Sequence, residues 1–290
     1  MCARACHFIF ALGRALDSDK KVAGGLGKVF LVGAGPGDPE LITLKGKRCL
    51  EAADVVLYDE LANAELLCFA RPDAELLHVG KKAGVHGADQ RDIEARLIRE
   101  ARAGKNVVRL KGGDPFLFGR GGEEVAALCA AGIPCEVIPG ISSALAVPAS
   151  AGIPVTQRGV ASSVAIVSGH QAAKSVDAIH WGDLARSVDT LIILMGLQNL
   201  SRIMNRLRTE GCPSDCPVAL IQSGTLPEQK IVTGSVATIA RVAEQSGIGS
   251  PAIIVVGRVA ALRNDFSWKI LAQPWTEAGA AKYASGEFLT

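Results

Sequence analysis

The stretch KVFLVGAGPGDPE, residues 28–40, decides the fold of this chain. Its apolar, β-branched beginning is typical of a buried strand, and the three glycines that follow give the backbone the freedom for a tight turn. Asp38 can cap a helix whose first position is Pro39, so residues 38–53 predict one continuous helix. A strand, a glycine turn and a capped helix in direct succession predict an α/β fold.

The same alternation continues outward from this stretch. In the first half, further strands are predicted at residues 54–59, 75–80, 106–110 and 135–140. The amphipathic segment 89–105 between them predicts a helix that ends at Gly104. In the second half, strands are predicted at residues 162–170, 190–196, 217–224, 229–235 and 251–259. These strands have less helix between them, which predicts a mixed sheet.

The different strand and helix patterns of the two halves therefore predict two α/β domains of different topology. We expect them to cover residues 28–147 and 148–268, with a boundary near Pro148. Residues 1–27 are expected to be a disordered N-terminal extension, and residues 269–290 a tail with little order.

Composition excludes several classes of protein. The 290 residues are 49% hydrophobic and 21% charged with a formal net charge of +2, so a large core is possible and a concentrated basic face for nucleic acid is not expected. No apolar run approaches the roughly 20 residues that span a membrane. The eight cysteines are scattered, and Cys212 and Cys216 lack two further ligands for a metal. We expect free thiols, a cytoplasmic protein and no metal.

The glycine turn at Gly33, Gly35 and Gly37 is not a typical dinucleotide site, because its spacing is G-x-G-x-G. Pro36 has no N–H that could donate a hydrogen bond to a phosphate, and Asp38 puts a negative charge where a pyrophosphate would lie. The turn is therefore either purely structural or a close backbone approach to an uncharged or cationic ligand.

A second glycine-rich segment, RLKGGDPFLFGRGGEE, occupies residues 109–124. Five glycines after a strand carry a conformational-entropy cost on folding, which favours a ligand-wrapping role over a purely structural one. Its Asp114–Pro115 pair repeats the Asp-Pro arrangement of the first turn.

The complete set of motifs resembles the class III tetrapyrrole methyltransferases. In order along the chain they are VGAGPGDPELITLKG, YDEL, VGKKAG, RLKGGDPFLFGRGGEE, IPGISSA, IPVTQRG, SGH and MGLQNL. The resemblance runs from about residue 28 to residue 268. FGRGGEE together with VGKKAG and YDEL is similar in particular to the uroporphyrinogen-III C-methyltransferases of that family.

The resemblance implies a tetrapyrrole methylase fold with the active site in the cleft between two α/β domains, and a homodimer. It implies that S-adenosyl-L-methionine donates two methyl groups to ring carbons of uroporphyrinogen III, giving precorrin-2 for sirohaem or cobalamin synthesis. The positions that match the family's cofactor contacts are Pro36, Gly112, Gly113, Asp114, Leu117, Ser142, Ser143, Met195 and Gly224. Asp59 matches the candidate proton acceptor, and Lys81 the candidate proton donor.

The acetate and propionate groups of such a substrate need cationic partners, for which arginine is well suited. The candidates are Lys82, Arg109, Arg120, Arg158 and His170, with Lys81 nearby. Three positions depart from the family pattern: Gln157 replaces the usual His, Ser142–Ser143 replaces the common Thr-Ala, and Leu117 replaces Ile or Val.

Three alternatives stay open at this point. The chain could be another class III methyltransferase that acts on a later precorrin or a different acceptor, although FGRGGEE and VGKKAG disfavour this. A nicotinamide-dependent oxidoreductase would need a different glycine spacing. A binding protein without activity would retain the pocket but would have no need of Asp59.

Overall fold

The first sheet is fully parallel and is built from the first five strands. The structure is a computed structural model that describes residues 25–80, 89–169 and 179–265. The strands are β1 Val29–Gly33, β2 Val55–Tyr58, β3 Glu75–His78, β4 Val107–Lys111 and β5 Cys135–Ile138, in the order β3-β2-β4-β1-β5. All the pairings between them are parallel. The carboxyl ends of these strands therefore lie along one edge.

Helices cover both faces of this sheet, as the near-continuous apolar strands require. They are α1 Leu44–Glu51, α2 Gln90–Arg102 and α3 Gly121–Ala130. One apolar cluster surrounds Leu50 of α1, and another surrounds Leu97 of α2 and Leu128 of α3. Each cluster packs on a different face of β1, β2 and β4, which makes β1 and β4 the buried centre of the domain.

The continuous helix predicted over residues 38–53 is wrong. Asp38 caps only a short 3₁₀ turn, Pro39–Leu41, because Ile42 then adopts an extended conformation. Thr43 begins the real helix by accepting a hydrogen bond from the Gly46 N–H through its side chain. The break keeps the residues after β1 in a loop of several residues at the edge of the sheet.

The second sheet is mixed, as the sequence predicted. Its strands are β6 Val164–Ser168, β7 Thr190–Leu194, β8 Pro217–Gln222, β9 Lys230–Ser235 and β10 Ala252–Val256, in the order β6-β7-β10-β8-β9. β6 and β7 are parallel, and the other neighbours are antiparallel. The helices that accompany it are α5 Trp181–Ser187, α6 Leu200–Thr209, α7 Ile239–Ser246 and α8 Val259–Asp265. Of these, the sequence indicates only α6, through the apolar residues Ile203 and Leu207 and a stop at Gly211.

The helix α4, Ser143–Ser150, connects the halves and packs on the second sheet. Its Ala144 and Val147 belong to the same apolar cluster as Ile192 and Val255 of that sheet. Pro148, near which we expected the domain boundary, lies inside this helix.

Within the described ranges, no helix is long and apolar enough to cross a membrane. Most of the N-terminal extension and the whole of the C-terminal tail that the sequence predicted lie outside these ranges.

Candidate functional site

Three loops at the carboxyl edge of the first sheet meet through glycines. Gly35 and Gly113 exchange two backbone hydrogen bonds, with N–O distances of 3.3 and 2.7 Å. A Cβ atom on Gly33 would lie 2.5 Å from Gly140 Cα and 2.7 Å from Gly113 O, closer than real Cβ atoms come. The loops after β1, β4 and β5 are thus in direct backbone contact, which only glycine permits.

Gly112 and Gly113 have different functions in this arrangement. A Cβ atom on Gly112 would lie 2.6 Å from Leu61 Cβ, so this glycine allows the loop after β2 to pack closely. Gly113 has a φ of +66°, and a Cβ atom there would find Ser143 N at 3.9 Å as its nearest neighbour. One side of Gly113 is therefore open, and it faces the start of α4.

Asp114 and Ser142 shape the loops by accepting backbone hydrogen bonds. The Asp114 carboxylate accepts from Phe116 N at 2.8 Å and from Gly140 N at 3.1 Å. Ser142 caps α4 by accepting from Ala144 N at 3.2 Å. Together they fix the loop after β4 relative to the start of α4, where Ser143 is the first helical residue.

The second half closes the other side of the site. The Asp38 N–H donates to Thr225 Oγ1 at 3.0 Å, and a Cβ atom on Gly224 would lie 2.3 Å from the Val147 side chain. Leu117, from the loop after β4, packs in the apolar cluster that includes Leu194. Met195, directly after Leu194, is 49% exposed.

These contacts bring together the loops that carry the predicted cofactor positions, including Pro36, which is half-buried beside Gly35. In the described part, the non-glycine residues with positive φ also lie in these loops: Phe118, Arg120, Met195, Ser223 and Thr225. Strained backbone of this kind concentrates at functional sites.

Asp59 follows β2 and points toward the same glycine loop. Its Oδ1 accepts from Gly112 N at 3.2 Å, and its Oδ2 accepts from Arg109 Nη2 at 3.3 Å. Its side chain is 27% exposed, so the carboxylate is oriented by two donors and remains accessible. These properties suit a group that accepts a proton from a bound molecule.

A buried group of charges lies beneath Asp59. Arg109 Nε donates to Glu124 Oε1 at 3.2 Å, and Lys111 Nζ donates to the same oxygen at 3.0 Å. The Glu124 side chain is fully buried, and the side chains of Arg109 and Lys111 are each 4% exposed. Burial lowers the pKa of the Lys111 amine, and the Arg109 charge acts in the same direction, whereas Glu124 opposes them.

The burial of Arg109 argues against its predicted contact with substrate carboxylates. Its guanidinium is occupied by Glu124, Asp59 and the Leu110 carbonyl inside the domain. We therefore correct its assignment from a substrate-binding residue to a partner of Asp59.

The other predicted cations have different environments. Arg120 is exposed and forms a two-pronged ion pair with Glu123, with N–O distances of 2.9 and 2.7 Å. Arg158 is exposed in the tight turn that Gln157 and Ala161 close by backbone hydrogen bonds. The remaining predictions, Lys81, Lys82 and His170, lie outside the described residues.

Sequence reasoning missed four residues that build the site: Asn63, Lys111, Glu124 and Thr225. Asn63 Nδ2 donates to the Gly37 carbonyl at 2.8 Å, which fixes the first glycine turn. A signal was present for Lys111, because a charge in the apolar run VVRLK on a parallel strand must find a buried partner. Nothing in the sequence indicated Thr225. No group of residues in the described ranges could hold a metal ion.

Comparisons with known proteins agree with this geometry. Residues 28–240 match the family model described as tetrapyrrole (corrin/porphyrin) methylases. A uroporphyrinogen-III C-methyltransferase of Priestia megaterium is 50% identical, over 81% of this chain and 98% of the relative. A siroheme synthase of Citrobacter koseri is 47% identical over 83% of this chain, which spans about half, 52%, of that protein.

A solved structure is also similar. The uroporphyrin-III C-methyltransferase of Thermus thermophilus, in complex with S-adenosylhomocysteine, aligns with a TM-score of 0.71 and 40% identity. The alignment covers 81% of this chain and all of the Thermus chain. The family match at residues 28–240 includes the whole first sheet, the second sheet as far as β9, and the loops of the site. The chain belongs to the tetrapyrrole (corrin/porphyrin) methylase family.

Proposed function

We propose that this protein is an S-adenosylmethionine-dependent C-methyltransferase that methylates uroporphyrinogen III at two ring carbons in succession, giving precorrin-2. The observation that carries the proposal is the open side of Gly113, at the meeting point of the glycine loops and one residue from the backbone N–H that orients Asp59. The 50% identity to a uroporphyrinogen-III C-methyltransferase supports this substrate.

The residues of the glycine loops fit S-adenosylmethionine as the ligand. Pro36 offers no N–H to a phosphate, and Asp38 and Asp114 place carboxylates in the loops, which suits a cationic sulfonium better than an anion. The residues that would hold S-adenosylmethionine are Pro36, Gly112, Gly113, Asp114, Leu117, Ser142, Ser143, Met195 and Gly224. When bound, it supplies a methyl group that is already activated for transfer.

The chain's own contribution is then mainly to position and to accept a proton. The contact between the loops of the two halves fixes the site walls, so that an acceptor carbon can be aligned with the methyl group and water excluded. After a ring carbon is methylated, a proton must leave the ring skeleton. The Asp59 carboxylate, whose side chain is 27% exposed beside the glycine loop, is the proposed acceptor. Lys81 remains the predicted proton donor.

The carboxylates of the tetrapyrrole need cations at the mouth of the site. Arg120 and Arg158 are exposed in the described part of the chain, and we propose that they serve this purpose together with Lys82 and His170. Arg120 would exchange or share its contact with Glu123, because a guanidinium has further donors available.

The proposed function is tested by anaerobic incubation of uroporphyrinogen III with the protein and S-adenosylmethionine, followed by mass spectrometry. We expect the mass of two added methyl groups. A single added methyl group would favour a methylase of different regiochemistry, and an unchanged mass would overturn the proposal.

Three further properties are proposed. We propose a cytoplasmic location, since the described cysteines Cys49, Cys68, Cys129, Cys135, Cys212 and Cys216 are free thiols. The homodimer that the resemblance implies remains a prediction. Light scattering on the purified protein tests it by measuring the molar mass in solution. The similarity to siroheme synthases favours sirohaem as the end product over cobalamin.

A further inference from the structure

We propose that Glu124 is a positioning residue for Asp59 and that it acts through Arg109. This inference rests on the proposed function, because it assigns Glu124 a part in the proton transfer that Asp59 performs. Glu124 does not touch Asp59 itself, and its full burial separates it from any bound molecule.

The contacts of Glu124 are unusual for a residue that only stabilises a helix. A single oxygen, Oε1, accepts from Gln90 Nε2 at 3.2 Å, Arg109 Nε at 3.2 Å and Lys111 Nζ at 3.0 Å. A buried carboxylate needs such partners, because an uncompensated charge in the interior is strongly unfavourable. With Asp59 included, the group contains two carboxylates and two cations, so it is balanced in formal charge.

The guanidinium of Arg109 transmits the position of Glu124 to Asp59. Its Nε is held by Glu124, its Nη1 donates to the Leu110 carbonyl at 3.0 Å, and its Nη2 donates to Asp59 Oδ2 at 3.3 Å. Because a guanidinium is planar and its N–H groups diverge at fixed angles, fixing Nε and Nη1 also fixes the direction of Nη2. Removing the Glu124 carboxylate frees one of these points, and Arg109 can then turn away from Asp59.

The other oxygen of Asp59 is held separately by Gly112 N. Loss of the Arg109 contact would therefore leave the carboxylate attached at one oxygen and free to rotate about that bond. The glycine loop itself does not depend on Glu124, because Gly113 is held by Gly35 and Asp114 is bonded to Gly140. Positioning of Asp59 and binding of the methyl donor are thus separable.

The test compares Glu124→Gln, Asp59→Asn and the double variant, measuring kcat, KM for uroporphyrinogen III and the affinity for S-adenosylhomocysteine. We expect Glu124→Gln to lower kcat roughly 10- to 100-fold, the scale of a misplaced catalytic group, with S-adenosylhomocysteine affinity and KM nearly unchanged. The double variant should be no slower than Asp59→Asn by more than about twofold, because both changes act on the same group.

Glu136→Gln is the matched control. Glu136 of β5 is also a carboxylate between two cations, Lys28 just before β1 and Lys45 of α1, and in the described part of the chain these lysines form no ion pair with a residue of the site. It should keep wild-type kcat. Full additivity in the double variant, or a parallel loss of S-adenosylhomocysteine affinity in Glu124→Gln, would overturn the inference and make Glu124 a structural residue.

A milder variant keeps the test decisive if Glu124→Gln does not fold. Gln90→Ala removes one of the three donors to Glu124 at a half-buried position and should lower kcat about two- to fivefold, again without effect once Asp59 is Asn. An equal effect in the Asp59→Asn background would contradict the inference. Failure of the proposed function is distinguishable, because the wild-type protein would then transfer no methyl group at all, and the inference would fall with it.

Discussion

The interiors of the two halves differ in kind. In the described part of the first half, Glu100, Arg109, Lys111 and Glu124 are buried, whereas the buried polar residues of the second half are the uncharged Ser168 and Thr190. Three of the four buried charges lie beneath Asp59. The comparison indicates that the first half supplies the buried charges beneath the site, whereas the described interior of the second half is uncharged.

Left-handed backbone at the strand ends also falls on different residue types in the two halves, although the loop after β4 of the first half has it at Phe118 and Arg120 as well. The first sheet ends in glycines such as Gly35 and Gly113, whose positive φ carries no steric penalty. The second uses Met195, Ser223 and Thr225, where each side chain makes positive φ unfavourable. The strain is retained where a side chain is needed, as Thr225 Oγ1 shows by accepting from Asp38 N.

The largest effect is expected where the first half relies on glycine. Gly113→Val should abolish cofactor binding, because a β-branched side chain at φ +66° is strained and fills the open side of the loop. Gly132→Val is the control, since Gly132 has φ +69° and an equally empty surrounding but lies between α3 and β5, away from the site. Titration calorimetry with S-adenosylhomocysteine compares them, and equal affinities in the two variants would make Gly113 merely structural.

The charge of Asp59 should matter for turnover and not for binding. Asp59→Asn keeps the shape and should lower kcat by roughly 10²-fold or more, the scale of a lost general base, while S-adenosylhomocysteine binds as before. Asp54→Asn, at the opposite end of the same strand, removes a carboxylate that only accepts from Asn106 N and Arg71, and it should keep full kcat. Turnover and melting temperature are measured on the same preparations. A wild-type kcat in Asp59→Asn would remove it from the mechanism.

Matched changes in the two interiors should have opposite signs. Arg109→Met leaves Glu124 with one cation fewer and should lower the free energy of unfolding by about 3–5 kcal/mol, as breaking a buried ion pair does. Thr190→Val removes a buried hydroxyl that has no hydrogen-bond partner in the described structure, and it should raise the same quantity by up to about 1 kcal/mol. Urea denaturation measures both. Destabilisation of similar size in both variants would mean that the two interiors do not differ as described.

The smallest effect concerns the exposed cations. Raising the salt concentration should increase KM for the polyanionic tetrapyrrole several-fold, because the Debye length is only about 10 Å at 0.1 M salt and shortens as salt is added, which weakens the attraction between exposed charges. KM for S-adenosylmethionine should hardly change, since the family resemblance implies that it is held mostly by backbone. Arg120→Gln should reduce the salt dependence. Equal sensitivity for both substrates would argue against Arg120 and Arg158 as carboxylate partners.

Much of the fold could be predicted from sequence, because strands such as VFLVG and TLIIL are apolar throughout and are separated by glycine turns. The break at Ile42 was missed, since the helical pattern continues through it and only Thr43 marks the new start. The helix α7 was missed because it is short and lies between two strands.

The site was only partly predictable. Motifs with specific spacing predicted the glycine loops, which the structure brings into contact, and Asp59, which accepts from Gly112 N and stays a predicted site residue. The contact of Thr225 with Asp38 joins residues 187 positions apart, and no local sequence pattern indicates a contact between residues so far apart in the chain. Arg109 was misassigned for a related reason: an arginine on a strand gives no indication of whether it faces a ligand or a buried glutamate.

The hydrogen bond between Asp38 and Thr225 joins loops of both sheets at the place where a ligand would lie. A molecule bound there contacts both halves, so its binding free energy is lost when either half unfolds. Such a ligand at 100 times its dissociation constant adds about 2.7 kcal/mol to the stability of both halves at once. Bound ligand thereby links the two cores into one cooperative unit, and the ligand-free chain has to rely on a few loop contacts for the same cooperativity.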